Sequence, residues 1–156
     1  MTSGAPTETD GQGGRPQRPP HAIHVHFRAG FQQCDPLGVV WHGRYFEWME
    51  AARTELFRSV DLAVPVIRGL GHKMFVVDAQ CRYMAPLVYD DEFTVTAWFT
   101  QAAPLIKIAY DFYNSATGRW SARATTVLAT TDVQGNLLAT TPDGILERLP
   151  IGQQPR

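Results

Sequence analysis

The hydrophobic period changes twice along the chain. Over residues 22–29 it is two: Ile23, Val25 and Phe27 alternate with His24, His26 and Arg28, which predicts a strand. Between Tyr45 and Phe57 it lengthens. Tyr45, Trp48, Met49, Ala52, Leu56 and Phe57 recur at three- and four-residue spacing, with Glu47, Glu50, Thr54 and Arg58 on the other side. That pattern predicts a core helix with one wet face. Four strand-like runs follow, at 73–84, 92–100, 105–114 and 120–131. The breaks between them are Pro86 with Asp90-Asp91, Ala102-Ala103-Pro104, and Ser115-Ala116-Thr117-Gly118. Such short breaks predict antiparallel pairing of neighbours. Residues 61–71, with Pro65 and two glycines, read as a connector with room for a helical turn. After a turn at Gln134-Gly135-Asn136, a short strand is expected at 137–140. A short helix is expected at 142–149, with Pro142 at its start and Asp143 in its first turn.

One long apolar helix with one antiparallel sheet is an α+β layer pair. Several strands carry large apolar residues at both parities: Phe93, Val95, Trp98 and Phe99 in one, and Leu105, Ile106, Ile108, Ala109, Tyr110 and Phe112 in the next. One face can take the helix. The other asks for a partner surface, so a homo-oligomer is expected.

Composition narrows the class. The 156 residues suit one domain. Residues 1–21 are rich in Gly, Pro, Thr and Gln without apolar periodicity, and are expected to form a disordered tail. The domain is placed at 22–150, with 151–156 as a C-terminal tail. A formal net charge of -1 gives no argument for nucleic acid or a membrane surface. No apolar run is long enough to span a bilayer, and no signal-peptide core is visible, so export is not expected. Two cysteines, Cys34 and Cys81, make neither a disulfide framework nor a structural zinc site, and a reducing cytoplasm is the simplest setting.

The candidate chemistry lies between the first strand and the helix. Asp35-Pro36-Leu37-Gly38 is a turn signal. Gly43 suits a helix N-cap and lets backbone come close to a ligand. The free N–H groups at that helix end point towards whatever the loop holds. A carboxylate, Asp35, and an imidazole, His42, sit a few residues upstream. Together, a carboxylate, an imidazole and a helix N-terminus can activate water and hold an oxyanion.

The stretch Asp35-Pro36-Leu37-Gly38-Val39-Val40-Trp41-His42, followed by Tyr45 and by Ala52-Arg53-Thr54-Glu55-Leu56-Phe57-Arg58, resembles the 4-hydroxybenzoyl-CoA thioesterase family of hotdog-fold proteins. The resemblance resumes at Phe75-Val76-Val77 and at Tyr83-Met84-Ala85-Pro86-Leu87-Val88-Tyr89-Asp90-Asp91. It implies a hotdog fold, a sheet wrapped around one long helix. It implies hydrolysis of an acyl thioester of CoA or of a phosphopantetheine-bearing acyl carrier protein, with no metal or other cofactor. Asp35 inherits the catalytic carboxylate, as nucleophile or general base. The backbone N–H of His42 or Gly43 inherits the oxyanion hole. His42, where another branch has Tyr, is similar to the Tol-Pal-associated acyl-CoA thioesterase branch. Family members are usually dimers or tetramers with active sites between subunits. One departure stands out: many relatives carry Arg, Lys or Ser on CoA phosphates where this chain has Ala102-Ala103-Pro104. That weakens the case for free CoA and brings a carrier protein forward. Lys73, Arg82, Lys107 and Arg123 remain as alternative phosphate contacts.

Each candidate has a blander reading. Asp35 is otherwise a turn residue bonded to its own backbone. The His42 side chain either positions carbonyl, water or proton, or packs over the loop. Cys34 reads as a small filler rather than a nucleophile, and His24 with His26 as a polar strand face rather than a metal pair. Glu50 reads as wet helix surface, with a smaller claim to catalysis. Arg53 reads as an ion-pair partner. Tyr45, Trp41 and Phe75 are expected to contact substrate; with Trp48 and Tyr83 they either line an acyl pocket or fill the core. The alternative for the whole chain is a non-catalytic binder of acyl thioesters or acyl carriers.

Overall fold

Six apolar side chains of the helical stripe, Tyr45, Trp48, Met49, Ala52, Leu56 and Phe57, are all buried in α1 (Arg44–Ser59). Glu47, Glu50, Thr54 and Arg58 are all exposed. The computed structural model describes residues 17–151. Around α1 lie β1 (Ile23–Arg28), α2 (Val64–Gly69), β2 (His72–Tyr83), β3 (Glu92–Gln101), β4 (Ile106–Asn114), β5 (Arg119–Asp132) and α3 (Asp143–Leu146). A 3-10 turn, Phe31–Gln33, follows β1. No helix among the described residues is long and apolar enough to cross a membrane.

The strands form one antiparallel sheet in the order β1-β3-β4-β5-β2. Alternation sends Phe93, Val95, Ala97 and Phe99 of β3, and Ile108, Tyr110 and Phe112 of β4, to the helix side, all 1 % exposed or less. Aromatic rings join the two layers: Trp48 meets Phe93 at 4.6 Å between centroids, Tyr45 meets Phe112 at 5.2 Å and Phe57 meets Phe99 at 5.4 Å. Each such side chain contributes about 1.5–3 kcal/mol on burial. This is the α+β hotdog arrangement that the family resemblance implied.

The expected pairing of neighbours holds for β3 with β4 and for β4 with β5, but not for β2 with β3. β2 lies at the sheet edge against β5, from His72↔Asp132 to Tyr83↔Ala122. The reason is where the backbone after Tyr83 finds its partners. Met84 N–H donates to Ser121 at 2.9 Å, Leu87 C=O accepts from Val40 at 2.8 Å, and Val88 bridges Val39. Those groups are committed to β5 and to the Asp35 loop, so no hairpin to β3 can form.

Three further expectations are corrected. The part of the predicted tail that falls within the described residues is packed on the sheet. Arg18 is ion-paired with the buried Asp111 and covers Trp98, its guanidinium 4.4 Å from the ring centroid. His21 Nε2 accepts the Phe99 N–H at 3.1 Å. Residues 1–16 and 152–156 of the predicted tails lie outside the described residues. The outer sheet face is also more polar than the strand composition suggested. His24 and His26 Nδ1 bond to the Thr96 and Thr94 hydroxyls at 2.8 and 2.9 Å, and Asp111 sits among them. Finally, 137–140 forms no strand. Asp132 Oδ1 accepts from Gln134 and Asn136 N–H at 2.9 Å each, and only Leu137 bridges Thr131. The chain then leaves to bury Ile145 and Leu149, in and just after the shortened α3.

Candidate active site at the start of α1

The loop before α1 is a narrow hairpin. Gly38 N–H donates to Asp35 C=O at 2.9 Å, Asp35 N–H to Val39 C=O at 2.8 Å, and Cys34 bridges Val40. Gly38 has φ 80°, a left-handed value that a side chain resists, so glycine is needed there. Trp41 N–H donates to Gln33 C=O at 2.9 Å, and the 87–88 segment holds the other side. The loop is therefore pinned between the 3-10 turn and the chain leaving β2.

This pinning brings Asp35, His42, Tyr45 and Tyr83 around one cavity of about 270 Å³, walled by Val40, Met84 and Pro86. Asp35 uses Oδ1 in its own turn, accepting Leu37 N–H at 2.8 Å and Val39 N–H at 3.4 Å. Oδ2 has no hydrogen-bond partner among the described residues. The bland and the chemical readings of Asp35 thus coexist in one side chain. The N–H groups of His42 and Gly43, just before the helix, likewise find no acceptor among the described residues. They are donors at the positive end of a helix.

Gly43 is the N-cap, with φ -68°, so its freedom to take unusual angles is not what the site uses. Space is. A Cβ at Gly43 would run into the Trp41 indole, which lies directly over it. Trp41 is 48 % exposed and touches His42, with ring centroids 5.0 Å apart. It covers the helix start rather than lining the cavity.

Tyr45 is 2 % exposed and meets Tyr83 edge-on at 4.9 Å. Burial pushes its phenol pKa above 10.0, against a backbone hydrogen bond with Leu87. Tyr83 donates its hydroxyl to the His42 carbonyl at 2.7 Å. Burial first, and then Cys81 beside it, push its phenol above 10.0 as well, so both rings keep their protons at neutral pH. Burial also raises the Cys81 thiol above its ordinary 9.0, which disfavours the thiolate. Cys34 is half-buried, with Sγ 3.7 Å from the Gly30 carbonyl.

Of the residues expected at the site, Asp35, His42 and Tyr45 converge, with Gly43 beside them. Phe75 does not. It lies eight positions from Tyr83 along β2, opposite Ala129, 51 % exposed and away from the cavity. A β-bulge between Val76 and Asp78 breaks the alternation that would otherwise relate its face to that of Tyr83. Trp48 is core, packed on Phe27 and Phe93. Tyr83 is the residue that sequence reasoning left open between pocket and core. Its signals were an aromatic at a strand end and its place at the head of a stretch that carries the family resemblance, and its partner His42 is 41 residues away. Arg82 and Arg123 face each other across β2 and β5, and with Arg18 they line a separate cleft of about 390 Å³. Arg82 precedes Tyr83 in the strand and so points to the opposite face from it.

Comparison with known proteins agrees with this architecture. A provisionally named esterase of Aquifex aeolicus is 38% identical over 68 residues, covering 44% of this chain and 53% of that protein. The matched region thus spans about half the length of that relative. A provisionally named acyl-CoA thioesterase of Bacillus subtilis, YneP, is 28% identical over 106 residues, 67% of this chain and 76% of its own. The crystal structure of a hypothetical protein from Aquifex aeolicus superposes with a TM-score of 0.72 at 26% identity, over 81% of this chain and 98% of its own. The model of the thioesterase-like superfamily matches residues 29–149. A match running from the end of β1 to just beyond α3 takes in every element that shapes the cavity, and on that extent the chain belongs to the thioesterase-like superfamily.

Proposed function

We propose that this protein hydrolyses acyl thioesters at the start of α1. The observation that carries the reading is one cavity lined by Asp35 and His42, where, among the described residues, Asp35 Oδ2 has no hydrogen-bond partner and the backbone N–H groups of His42 and of the adjacent Gly43 have no acceptor. The thioester carbonyl lies against these N–H groups, which stabilise the oxyanion as it forms. Asp35 either attacks the carbonyl carbon or takes a proton from an attacking water. The C–S bond then breaks, the thiolate leaves and takes a proton, and a free acid is released. His42 is exposed at the cavity mouth, where its imidazole can carry that proton. Tyr45 and Tyr83 form the apolar wall for the acyl group.

The thioester is carried by CoA or by a phosphopantetheine arm on a carrier protein. Among the residues lining the cavity there is no Lys or Arg, and the arginine cleft opens beside Trp98 and Asp111 on the other sheet face. Those observations favour a carrier that makes few phosphate contacts here.

The active unit includes a second copy of the chain. Among the described residues β2 has no strand on its outer edge, and Phe75, Val76 and Val77 are 51, 42 and 56 % exposed in its middle. A long apolar edge of this kind is a template for pairing. Pairing of two β2 strands would continue the sheet across both copies and bring the second copy alongside the cavity that Tyr83 lines.

The decisive experiment measures thiol release from a panel of acyl-CoA thioesters, and from the same acyl groups on carrier protein, for wild type and Asp35→Asn. Release that collapses in the variant supports the mechanism, and the faster carrier identifies the substrate. Saturable binding without release would point instead to a non-catalytic acyl-thioester binder.

A further inference from the structure

Resting on the thioesterase reading, we infer that Tyr83 is a positioning residue: its hydroxyl holds the His42–Gly43 peptide in the one orientation in which the Gly43 N–H serves as an oxyanion donor. The bond is the 2.7 Å contact from Tyr83 Oη to the His42 carbonyl, made between the last residue of β2 and the turn before α1. It is the link between the sheet end and the peptide that precedes the helix.

The geometry of a peptide supplies the rest. The bond is planar and trans, so the His42 C=O and the Gly43 N–H point in opposite directions from one rigid plane. Fixing the oxygen fixes the N–H. The need for a restraint is greatest here, because glycine resists rotation less than any other residue. The turn into the helix spans this peptide, with Arg44 N–H donating to Trp41 C=O at 2.9 Å, but it does not engage the His42 carbonyl itself. Phe46 N–H bonds to Gly43 C=O at 3.3 Å, and the His42 carbonyl, one residue earlier, takes the Tyr83 hydroxyl instead. A donor on the carbonyl also polarises the amide, which strengthens its N–H as a donor to a developing negative charge. Tyr83 is itself held. Its ring stands edge-on to Tyr45, with centroids 4.9 Å apart and an interplanar angle of 87°, and Tyr45 is locked in the core. The ring also meets the His42 imidazole edge-on at 6.3 Å. A chain of contacts therefore runs from the buried helix stripe through Tyr45 and Tyr83 to the peptide at the cavity.

The test is Tyr83→Phe, which keeps the ring and removes the hydroxyl. On the best thioester of the panel, kcat is expected to fall about tenfold with KM nearly unchanged, the size that one hydrogen bond supports. The shape of the kcat–pH profile should be preserved. In an ¹⁵N–¹H spectrum the Gly43 amide resonance should move, while resonances of the sheet and of the α1 C-terminus stay in place and report an intact fold. An unmoved Gly43 resonance would overturn the inference whatever the activity. So would unchanged kcat, a rise confined to KM, or loss of the alkaline limb of the pH profile, which would make Tyr83 a proton donor. If wild type releases thiol from no substrate, the thioesterase reading fails by itself, and the Gly43 resonance still decides whether Tyr83 holds the peptide.

Discussion

Leu37 donates its backbone N–H to Oδ1 of Asp35 at 2.8 Å, so the turn engages one carboxylate oxygen and leaves the other to the cavity. Structure and chemistry can therefore be separated by choice of substitution. Asp35→Asn retains an oxygen for the Leu37 and Val39 N–H groups; its unfolding midpoint should match wild type while turnover falls by about 10²–10⁴. Asp35→Ala loses the acceptor too and should cost a further 0.5–1.5 kcal/mol, roughly, in urea unfolding. Equal stability of the two variants would show that the turn bond contributes nothing.

Gly43 is adjacent to the Trp41 indole, with no space for a methyl group between them. Gly43→Ala gains helix propensity but must displace the ring. The expected result is a shifted tryptophan emission maximum and at least a tenfold loss of turnover, with thermal stability nearly unchanged. Retained activity would mean that the ring moves without disturbing the helix start.

The exposed middle of β2 makes a separate prediction. Val77→Lys places a charge on the edge that pairing would cover. Light scattering coupled to size exclusion should show the assembly dissociating to monomers, with activity falling in parallel. A wild-type monomer at micromolar concentration would remove the paired-sheet proposal.

His21 accepts the Phe99 N–H through Nε2, and this requires a neutral nitrogen. Burial holds its pKa below the ordinary 6.5. The unfolded chain therefore binds the proton more tightly than the folded one. The stability contributed by neutral His21 is complete above 6.5 and is lost as pH falls through the lowered folded value. Melting temperatures between pH 7.5 and 5 should decline for wild type and decline less for His21→Gln. Parallel curves would mean that His21 leaves the sheet at no cost.

Much of this molecule was determined by local pattern. Burial periodicity alone located α1 and the main strands, because a residue's face follows from its position in a helix or strand. The Asp35 turn and the glycine at the helix start were equally legible, since turn and cap chemistry depends on a few consecutive residues. The tertiary structure decided what lies far apart in sequence. It moved β2 from beside β3 to the edge beyond β5, because the backbone after Tyr83 bonds to Ser121 and to the Asp35 loop. That placement brought Tyr83 to His42 and left Phe75 outside, with a bulge between them along the strand. It also drew Arg18 and His21 onto the sheet, where composition predicted a loose tail. Periodicity records which side of an element is dry. Which elements meet, and in what register, is set by long-range hydrogen bonding and packing.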